Sequence, residues 1–508
     1  MQFNKKIIAL STAAGLAALA ACSDNDNNVT GGGSALDLSL GFGAIIQSNL
    51  ESNASTYFGF SSPLETSADF ESYTGRTSAQ TANDLITLAG SLQMEFLTRS
   101  AANKTDMMAF WPHGVANPTH LITCVEGGAE SNLGGNADKY NPSVQRIDLS
   151  TGGVETIMRG MNRCDGIRTT PWGTVLATEE AGDGQAYEIL EPLTTTNHTV
   201  LDRALGSIVD GIGSVTPSTR AVKHDAMMTM SWEGLTITND GVVIAGDELR
   251  PGTAADDVDG GAIFKFVPTT PWDGSTAVTD LANSPFVAGS AYAMRVNCKT
   301  PPNQYGQGCE IGSAEWIAVN AATARDDADT NGATGYYRPE DLHTDPTYAG
   351  TGVRFCWANT GHKSSSNYGE VVCGVDTDPL TMDYVTNGYP HVNRFVEGDT
   401  ELNAPDNLDF QPVSGNLYVI EDNAGEADVW ACLKDGADQG IKTDGCVRLL
   451  SLFDSSAEPT GFIFAPDGQT AYVVIQHSND AAAADLDNDD YTTDDIIKIT
   501  GFADPSTL

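Results

Sequence analysis

Basic residues are scarce in this sequence. The 508 residues include 26 lysines and arginines against 68 aspartates and glutamates, which gives a formal net charge of −42. A chain with this balance repels polyanions, so electrostatics exclude nucleic acid and anionic membrane surfaces as partners. The excess of carboxylates indicates cations as partners, although acidity can also serve only to keep an exported protein soluble.

Histidine is also scarce, with eight residues in the whole chain and no His-x-Glu-x-His or similar cluster. Zinc hydrolases usually hold their metal with clustered imidazoles. The sequence therefore argues against a zinc enzyme.

Apolar runs long enough to span a bilayer are absent after the N-terminal region. At the N-terminus, two lysines precede an apolar run that ends directly before Cys22. This pattern predicts a lipoprotein signal peptide at residues 1–22, with a lipid on Cys22 as the only membrane contact. Ser23 favours the outer membrane or periplasm of a Gram-negative cell envelope, and residues 23–34 are predicted to form a flexible tether.

A short pattern recurs along the chain. Most copies have a glycine-containing turn, then an apolar β-rich run that stops at a carboxylate, an amide or an imidazole. The copies lie at residues 120–126, 164–180, 240–248, 352–359, 415–422 and 468–477. Repetition at this spacing predicts an all-β, six-bladed β-propeller with loop and helical insertions.

The repeats also define the expected domain boundaries. The propeller is predicted to span residues 107–508, with an insertion at about 268–335. Residues 35–106 are predicted to form an N-terminal cap or closing strand, with a helix at about 83–98.

Carboxylates at the ends of these runs are the first candidate functional residues. Acidic residues are depleted in strands, so a strand that ends in two of them needs a reason beyond folding. In a propeller, equivalent strand ends converge on one axis, where clustered carboxylates repel one another unless cations neutralise them. The candidates of this kind are Glu126, Glu179, Glu180, Asp247, Glu248, Glu421 and Asp422.

The nine cysteines indicate an oxidising compartment, because removal of Cys22 leaves an even number. Local spacing predicts three bridges that close short loops: Cys298–Cys309, Cys356–Cys373 and Cys432–Cys446. Two interpretations stay open for the remaining pair. Cys164 either forms a bridge with Cys124 or is a free metal-binding thiolate.

Two acidic loops are candidate calcium sites. Asp327, Asp329 and Asn331 place oxygen ligands at alternate positions before Gly332, although Arg338 replaces the acidic residue of an EF-hand at loop position twelve. The second loop has the same alternation without the glycine, and its candidates are Asp485, Asp487 and Asp489. A solvated loop is the alternative for both.

Several motifs, in this order, resemble the PhoX-type alkaline phosphatases, a family of bacterial extracytoplasmic enzymes. They are Cys164 with Thr170-Pro171-Trp172-Gly173-Thr174 and Glu179-Glu180, Arg338-Pro339-Glu340, Pro405-Asp406-Asn407-Leu408 with Glu421-Asp422, and Glu458-Pro459-Thr460-Gly461 with Ile475-Gln476-His477. The resemblance implies a propeller that binds calcium and iron (Fe³⁺) on its axis and hydrolyses small phosphate monoesters.

The resemblance also implies roles for individual residues. Cys164 would be a thiolate ligand to iron, and Glu179, Glu248 and Glu340 would be carboxylate ligands to iron or calcium. Arg338 would bind the substrate phosphate, because its planar guanidinium suits two phosphate oxygens. The other strand-end acids would be calcium ligands or their supports: Glu126, Glu180, Asp247, Glu421 and Asp422.

Two classes of function follow. The first is a metal-dependent phosphatase, with lactone or other ester hydrolysis at an axial calcium as a variant. The second is a non-catalytic, calcium-stabilised propeller lipoprotein for binding or scaffolding. An enzyme of the first class needs a free Cys164 and Arg338 facing the metals, whereas a binding propeller needs neither. Either class is expected to be a monomer.

Overall fold

The structure is a computed structural model, and it describes residues 39, 41–69, 76–130, 136–251, 260–296, 310–423, 427–434, 445–477, 486 and 490–507. The chain divides into a unit at residues 1–45 and a unit at residues 46–508, and every described strand lies in the second. Predictions about Cys22, Cys298, Cys309, Asp485, Asp487 and Asp489 fall outside the described residues.

Strands dominate the described residues. In chain order they are β1 (Ile86–Leu88), β2 (Gln93–Ala102), β3 (Thr105–Trp111), β4 (His120–Val125), β5 (Pro142–Asp148), β6 (Val154–Arg159), β7 (Cys164–Thr169), β8 (Thr174–Glu179), β9 (Ala186–Leu190), β10 (His198–Asp202), β11 (Ser207–Val209), β12 (Ala221–Lys223), β13 (Trp232–Ile237), β14 (Val243–Asp247), β15 (Ile263–Pro268), β16 (Gly289–Val296), β17 (Gly312–Val319), β18 (Pro339–Thr344), β19 (Val353–Asn359), β20 (Glu370–Asp376), β21 (His391–Glu397), β22 (Pro405–Phe410), β23 (Leu417–Glu421), β24 (Asp428–Cys432), β25 (Cys446–Leu452), β26 (Ala457–Phe464), β27 (Thr470–His477) and β28 (Thr493–Thr500).

Helices are few and short. The α-helices are α1 (Phe42–Ser52), α2 (Ala54–Tyr57), α3 (Ala324–Asn331) and α4 (Tyr384–Asn387). Single 3₁₀ turns lie at Ala82–Asp84, Leu281–Asn283, Pro285–Val287, Ala321–Thr323, Lys363–Ser365 and Pro505–Thr507. Among the described residues, no helix combines the length and apolar character that crossing a bilayer requires.

The described strands form five sheets, and every ladder except β6–β10 is antiparallel. The sheet orders are β1-β25-β24-β23-β22, β11-β10-β6-β5-β4-β3, β12-β9-β8-β7, β13-β14-β15-β16-β17-β21-β20-β19-β18 and β2-β28-β27-β26. One edge strand of each of four sheets, and both edge strands of the nine-stranded sheet, form an inner set. These six strands contact one another in the cyclic order β3, β7, β13, β18, β22, β26 and back to β3. Antiparallel sheets arranged around a closed ring of inner strands make an all-β fold of propeller type.

The repeated sequence pattern corresponds to the second strand outward from the ring. The copies coincide with β4, β8, β14, β19, β23 and β27. In five of them the turn glycine before the strand has φ between 64° and 90°, a conformation that glycine adopts without steric cost: Gly173, Gly241, Gly352, Gly415 and Gly468. The glycine in the pattern is therefore required by the hairpin that joins each inner strand to its neighbour.

The hydrophobic core is divided among clusters that lie between neighbouring sheets. One cluster includes Trp172 from the β7–β8 turn together with Trp232 of β13 and Phe264 of β15, all fully buried. Another combines residues of β4 with residues of β7 to β9. This distribution holds adjacent sheets together and fixes the inner strands around the axis.

The predicted helix at 83–98 is wrong. Thr81 and Asp84 form a capping box, but it closes only the 3₁₀ turn Ala82–Asp84. In β2 the exposed Gln93 and Glu95 alternate with less exposed neighbours, and this strand pairs along its length with β28 near the C-terminus. Period-two alternation and a long-range partner outweigh the local helix signal. Strand β2 instead forms the outer edge of the sheet β2-β28-β27-β26, as a closing strand would.

The segment at about 268–335 is not simply an insertion, because it supplies two strands. β16 pairs with β15, and β17 connects onward to β21 through Gly312–Val392 and Ser313–His391.

The first predicted calcium loop is wrong. Asp327, Asp329 and Asn331 lie in α3, which ends at Gly332 in the left-handed conformation. Residues two apart point to different sides of a helix, so these oxygens cannot converge on one ion. Asp327 instead accepts a hydrogen bond from the backbone N–H of Asn320 at 2.7 Å.

Candidate metal centre

An acidic side chain occupies the second position of every inner strand. We call this set the inner ring, and it consists of Asp106, Asp165, Glu233, Glu340, Asp406 and Glu458. Because these strands contact one another in a cycle and carry the acid at the same end, the carboxylates converge on one end of the axis.

Local backbone features direct these acids inward. In β3, β7, β13, β18 and β22, the ladder to the second strand is interrupted next to the acid. Such β-bulges re-aim side chains. Gly234, directly after Glu233, also permits close approach of strands, since a Cβ there would lie 2.0 Å from the backbone nitrogen of Leu342.

A second set of acids surrounds the first. We call Glu126, Glu180, Glu248 and Asp422 the outer ring; each directly follows a second strand. The backbone N–H at this position donates to the carbonyl two residues before an inner-ring acid: Glu126 to Lys104 (2.7 Å), Glu180 to Arg163 (2.7 Å), Glu248 to Ser231 (2.9 Å), Thr360 to Arg338 (3.2 Å) and Asp422 to Ala404 (3.0 Å). The repeat thus places the outer ring by the same hydrogen bond each time.

The two rings together create three groups of acids that could hold a metal ion. The groups are Asp106 with Glu126 and Asp165, Asp165 with Glu180 and Glu233, and Glu233 with Glu340 and Asp406. Within each group, one ligand oxygen per residue lies within 4.8 Å of the others. Asp165 and Glu233 each belong to two groups, so the three candidate sites form a continuous row.

Each predicted acidic doublet is divided between two environments. Glu180, Glu248 and Asp422 belong to the outer ring, whereas the preceding residues Glu179, Asp247 and Glu421 lie outside the three groups. We call these three the blade acids. Successive side chains of a strand point to opposite faces, so both members of a doublet cannot face the axis.

The blade acids have protein partners. Glu179 accepts two hydrogen bonds from Arg203, both at 2.8 Å, and Asp247 is paired with Arg325 at 2.5 Å. Glu421 accepts the backbone N–H groups of Asn403 and Asp428 at 2.8 and 3.2 Å. The structure therefore gives these predicted ligands structural contacts.

Arg338 lies directly beside the candidate metal groups. Its Nε atom is 2.6 Å from Glu248 and its Nη2 atom is 3.0 Å from Glu340, with 15% of the side chain exposed. Arg163 contacts the other end of the row, with Nη2 at 2.7 Å from Glu126 and 2.5 Å from Glu180. The sequence prediction included Arg338 and omitted Arg163.

The row carries an excess of negative charge that the protein does not balance. Burial, reinforced by neighbouring carboxylates, raises the pKa well above its usual range for five inner-ring acids: Asp106, Asp165, Glu233, Asp406 and Glu458. Burial also raises the pKa of Glu180 to about 12, and that of Glu340 to about 8 despite the opposing charge of Arg338. Divalent cations would reverse these shifts by stabilising the ionised carboxylates.

Unsatisfied oxygens test whether the residues fit cations. Among the described residues, one buried oxygen each of Asp106, Asp165 and Glu233 has no hydrogen-bond partner. Buried polar atoms without partners are costly, and these three belong to the candidate groups. An all-oxygen donor set with spare oxygens suits hard cations such as Ca²⁺.

The prediction that Cys164 is a thiolate ligand is wrong, because Cys164 is bonded to Cys124. Strand β7 starts at Cys164 and runs beside the β3–β4 hairpin, which brings the two cysteines together. The predicted bridges Cys356–Cys373 and Cys432–Cys446 are also present. All described cysteines are bridged, so the described part of the site contains no thiolate.

Sequence reasoning missed most of the inner ring, although a signal was available. Two inner acids have glycine directly behind them (Asp165-Gly166 and Glu233-Gly234), and two follow a proline (Pro339-Glu340 and Pro405-Asp406). An acid beside a backbone-shaping residue, shortly before each glycine hairpin, recurs at the period of the pattern. Only Glu340 was predicted as a ligand.

The opposite end of the axis differs in character. The last residues of the inner strands line a cavity of about 700 Å³ there, with apolar walls that include Phe410 and Phe464. His343, in the wall of this cavity, lies 3.1 Å from Asp341 and 3.3 Å from Asp409. Among the described residues, the three groups of acids that could hold a metal ion lie at the other end of the axis.

The fold and the site together define a propeller-type protein whose axial carboxylates form candidate metal-binding groups. The sequence profile of the family described as alkaline phosphatase PhoX matches residues 151–479, more than half of the chain. The chain belongs to this family, which supports its assignment as a hydrolase of the phosphatase class. The match includes Asp165, Glu233, Glu340 and Arg338.

Solved structures with similar folds have low sequence identity. A gluconolactonase from Xanthomonas campestris is 12% identical, with a TM-score of 0.38, and the alignment covers 86% of this chain and 98% of that one. An aldose sugar dehydrogenase from Streptomyces coelicolor is 12% identical, with a TM-score of 0.38 and coverage of 82% and 99%.

A structure called a putative phosphatase, from Bacteroides thetaiotaomicron, is 12% identical, with a TM-score of 0.35 and coverage of 68% and 61%. No curated protein matches the sequence significantly. At these levels of similarity, the three structures carry no argument about the activity of this chain.

Proposed function

We propose that this protein is a calcium-dependent phosphatase that hydrolyses small phosphate monoesters at the row of axial carboxylates. One observation carries the proposal: three linked groups of acids, with more carboxylates than neighbouring cations, lie beside Arg338, and their members from Asp165 to Asp406 fall within the family match. Divalent cations bound there would supply the positive charge that phosphoryl transfer needs.

The residues of the chain have distinct roles in this proposal. Asp165 and Glu233 would link neighbouring cation sites, because each belongs to two groups. Arg338 would donate hydrogen bonds to the phosphate and stabilise the charge that develops in the transition state. Its contacts with Glu248 and Glu340 orient the guanidinium toward the candidate cations.

Calcium is the cation we propose, because all the described donors are oxygens. The iron (Fe³⁺) that the family resemblance implies would lack its expected thiolate, since Cys164 is bonded to Cys124. Iron therefore remains a prediction for elemental analysis of the purified protein.

Substitution of Arg338 by alanine tests the enzyme proposal. With calcium bound, Arg338→Ala should lower kcat/KM for a generic phosphate monoester at alkaline pH by about 100-fold or more, because a transition-state contact is lost. The melting temperature of the calcium-loaded protein should change little. The matched control is Arg220→Ala, which removes an exposed arginine paired with Glu191. Absence of turnover by the calcium-loaded wild type would refute the proposal.

A second function is favoured by the bridge between Cys124 and Cys164. Because the thiol expected of the enzyme is not free, a calcium-stabilised binding or scaffolding propeller stays in contention. Stabilisation by calcium without turnover would support it.

We also propose six blades, with the nine-stranded sheet counted as two. The support is the cyclic contact of six inner strands and the narrow β17–β21 connection. An experimental structure with another number of inner strands would contradict this count.

We further propose a lipoprotein of the cell envelope, on the basis of the sequence before Cys22. Cys22→Ala should then release the protein from the membrane fraction, and unchanged fractionation would contradict the anchor.

A further inference from the structure

Arg163 occupies the position in its repeat that Arg338 occupies in another. Each lies two residues before an inner-ring acid, Asp165 or Glu340, and directly before an inner strand. Each has left-handed backbone geometry, with φ of 58° and 57°. The carbonyl of each accepts the hydrogen bond described above, so the local fold projects both side chains from equivalent points.

The backbone conformation alone does not identify a ligand site, because the equivalent Lys104 and Ala404 also have positive φ. What distinguishes Arg163 and Arg338 is the shared guanidinium and its partners. In each case the guanidinium joins an outer-ring acid to a second acid of the row: Glu126 and Glu180 for Arg163, and Glu248 and Glu340 for Arg338.

The contacts of Arg163 place it at the junction of two candidate cation sites. Glu126 belongs to the group with Asp106 and Asp165, while Glu180 belongs to the group with Asp165 and Glu233. A residue that served only to neutralise buried acids would be expected to be buried with them. The side chain of Arg163 is instead 46% exposed, three times the exposure of Arg338.

Part of the Arg163 guanidinium also remains available. Its Nε and Nη2 atoms contact the carboxylates, whereas Nη1 has no hydrogen-bond partner among the described residues. A guanidinium with free donors, exposed next to cation sites, suits the oxygens of a phosphate.

We propose that Arg163 is a second phosphate-binding residue, so that two arginines from equivalent repeat positions hold the phosphate at the acidic end of the axis. This inference rests on the proposed function, because it assigns the same site. Cations at the acid groups would compete with both guanidinium groups for the carboxylates, which frees donors for the phosphate.

The test is calorimetric titration of inorganic phosphate into calcium-saturated protein. Arg163→Gln should weaken phosphate binding by about 10-fold or more, because charge-assisted hydrogen bonds are lost. Arg163→Lys should weaken it less, since the charge stays and the fork is lost. The control is Arg220→Gln. Arg220 is an exposed arginine, with 38% of its side chain accessible, and it pairs with Glu191 instead of an acid of the row, so this variant should bind phosphate like the wild type.

Calcium affinity, measured in parallel, separates this role from a structural one. Arg163→Gln should bind calcium as tightly as the wild type or more tightly, because a competing cation has been removed. Unchanged phosphate affinity in Arg163→Gln would overturn the inference, and so would a loss that only accompanies weaker calcium binding.

The turnover assay distinguishes failure of the inference from failure of the proposed function. Turnover by the wild type with phosphate binding that does not depend on Arg163 would refute the inference alone. Arg163-dependent phosphate binding without turnover would support the inference and refute the hydrolase.

Discussion

Three outer-ring acids (Glu180, Glu248 and Asp422) come from the same doublets as the blade acids, and the first doublet shows how different the two environments are. Glu179 is fully buried and has two hydrogen bonds from Arg203, whereas its neighbour Glu180 shares a half-exposed Arg163 with Glu126. One step along the strand separates a carboxylate that one arginine contacts with two hydrogen bonds from a carboxylate that shares its arginine with another acid of the row. The comparison teaches that the described acids include two kinds: the blade acids, which have partners within the protein, and the axial acids, which outnumber the cations beside them.

A third region lies between these extremes. Glu310 and Glu370 are both buried and share Arg394, with oxygens 2.5 and 2.6 Å from its guanidinium. These two carboxylates contact the same guanidinium, whereas in the axial row the acids outnumber the arginines beside them. The number of carboxylates for each neighbouring cationic side chain therefore increases from Glu310 and Glu370 to the axial row.

Removal of divalent cations should have the largest effect. If several sites in the row bind calcium tightly, chelation should lower the melting temperature by about 10 °C or more, because each ligand stabilises only the folded state. Thermal melts with chelator and with calcium at neutral pH measure the shift. Added magnesium serves as a control for ionic strength. Superimposable melts would show that the axial acids are tolerated without cations.

Paired substitutions in one doublet should give the next largest effect and sharpen the comparison directly. Without calcium, Glu179→Gln should destabilise the fold by about 3 kcal/mol, because it breaks a buried ion pair with Arg203. Glu180→Gln should cost less under the same conditions, since burial and the neighbouring carboxylates raise the pKa of Glu180 and so already disfavour its charge in the folded state.

Calcium should reverse the ranking of this pair. Glu180→Gln should lose most of the stabilisation by calcium, whereas Glu179→Gln should keep it. Urea unfolding with and without calcium measures both. Equal loss of stabilisation by calcium in the two variants would contradict the expectation that Glu180, and not Glu179, contributes to calcium binding.

We expect the smallest effect at Glu370, which shares Arg394 with Glu310. The effect is a dependence of the unfolding free energy on pH. Burial raises the pKa of Glu370 from its usual value of 4.5 to about 7, with Arg394 opposing the shift and Glu310 adding to it. The folded state thus holds this proton more tightly than the unfolded state. The resulting stability is present below about pH 4.5 and is lost as the pH rises through about 7.

Glu370→Gln should remove this loss. Between pH 5 and pH 8, in saturating calcium, the wild type should lose about 2 kcal/mol of stability that the variant retains. Glu315→Gln, which removes a more exposed acid paired with Arg295, is the control. Parallel urea-unfolding profiles for wild type and Glu370→Gln would contradict the prediction.

Much of the fold could be predicted from the sequence because its signals are local and repeated. The glycine hairpins and apolar runs identify the second strands, which the structure contains at all six positions. Features that depend on distant partners could not be predicted. Strand β2 forms with β28, some 400 residues away, and nothing near Gln93 indicates that partner.

The sequence could predict that the candidate site consists of acids at strand ends, but it could not predict which acids face the axis. The doublets indicate acids at strand ends, yet the sequence does not say which member faces the axis, since that depends on where each strand stops. In five of the six inner strands a bulge lies next to the inner-ring acid, and the sequence marks these acids only through neighbouring glycines and prolines. Cys164 illustrates a further limit, because only the approach of neighbouring sheets decides between a thiolate and a bridge with Cys124.

The pairing of β2 with β28 also constrains the order of assembly. During synthesis β2 emerges some 400 residues before β28, so the sheet β2-β28-β27-β26 stays incomplete until β28 has been made. Asp494 on β28 then accepts the backbone N–H groups of Lys104 and Thr105, directly before Asp106. Strand β28 thus helps to position Asp106, and the candidate group that contains Asp106 is completed only after β28 has joined the sheet.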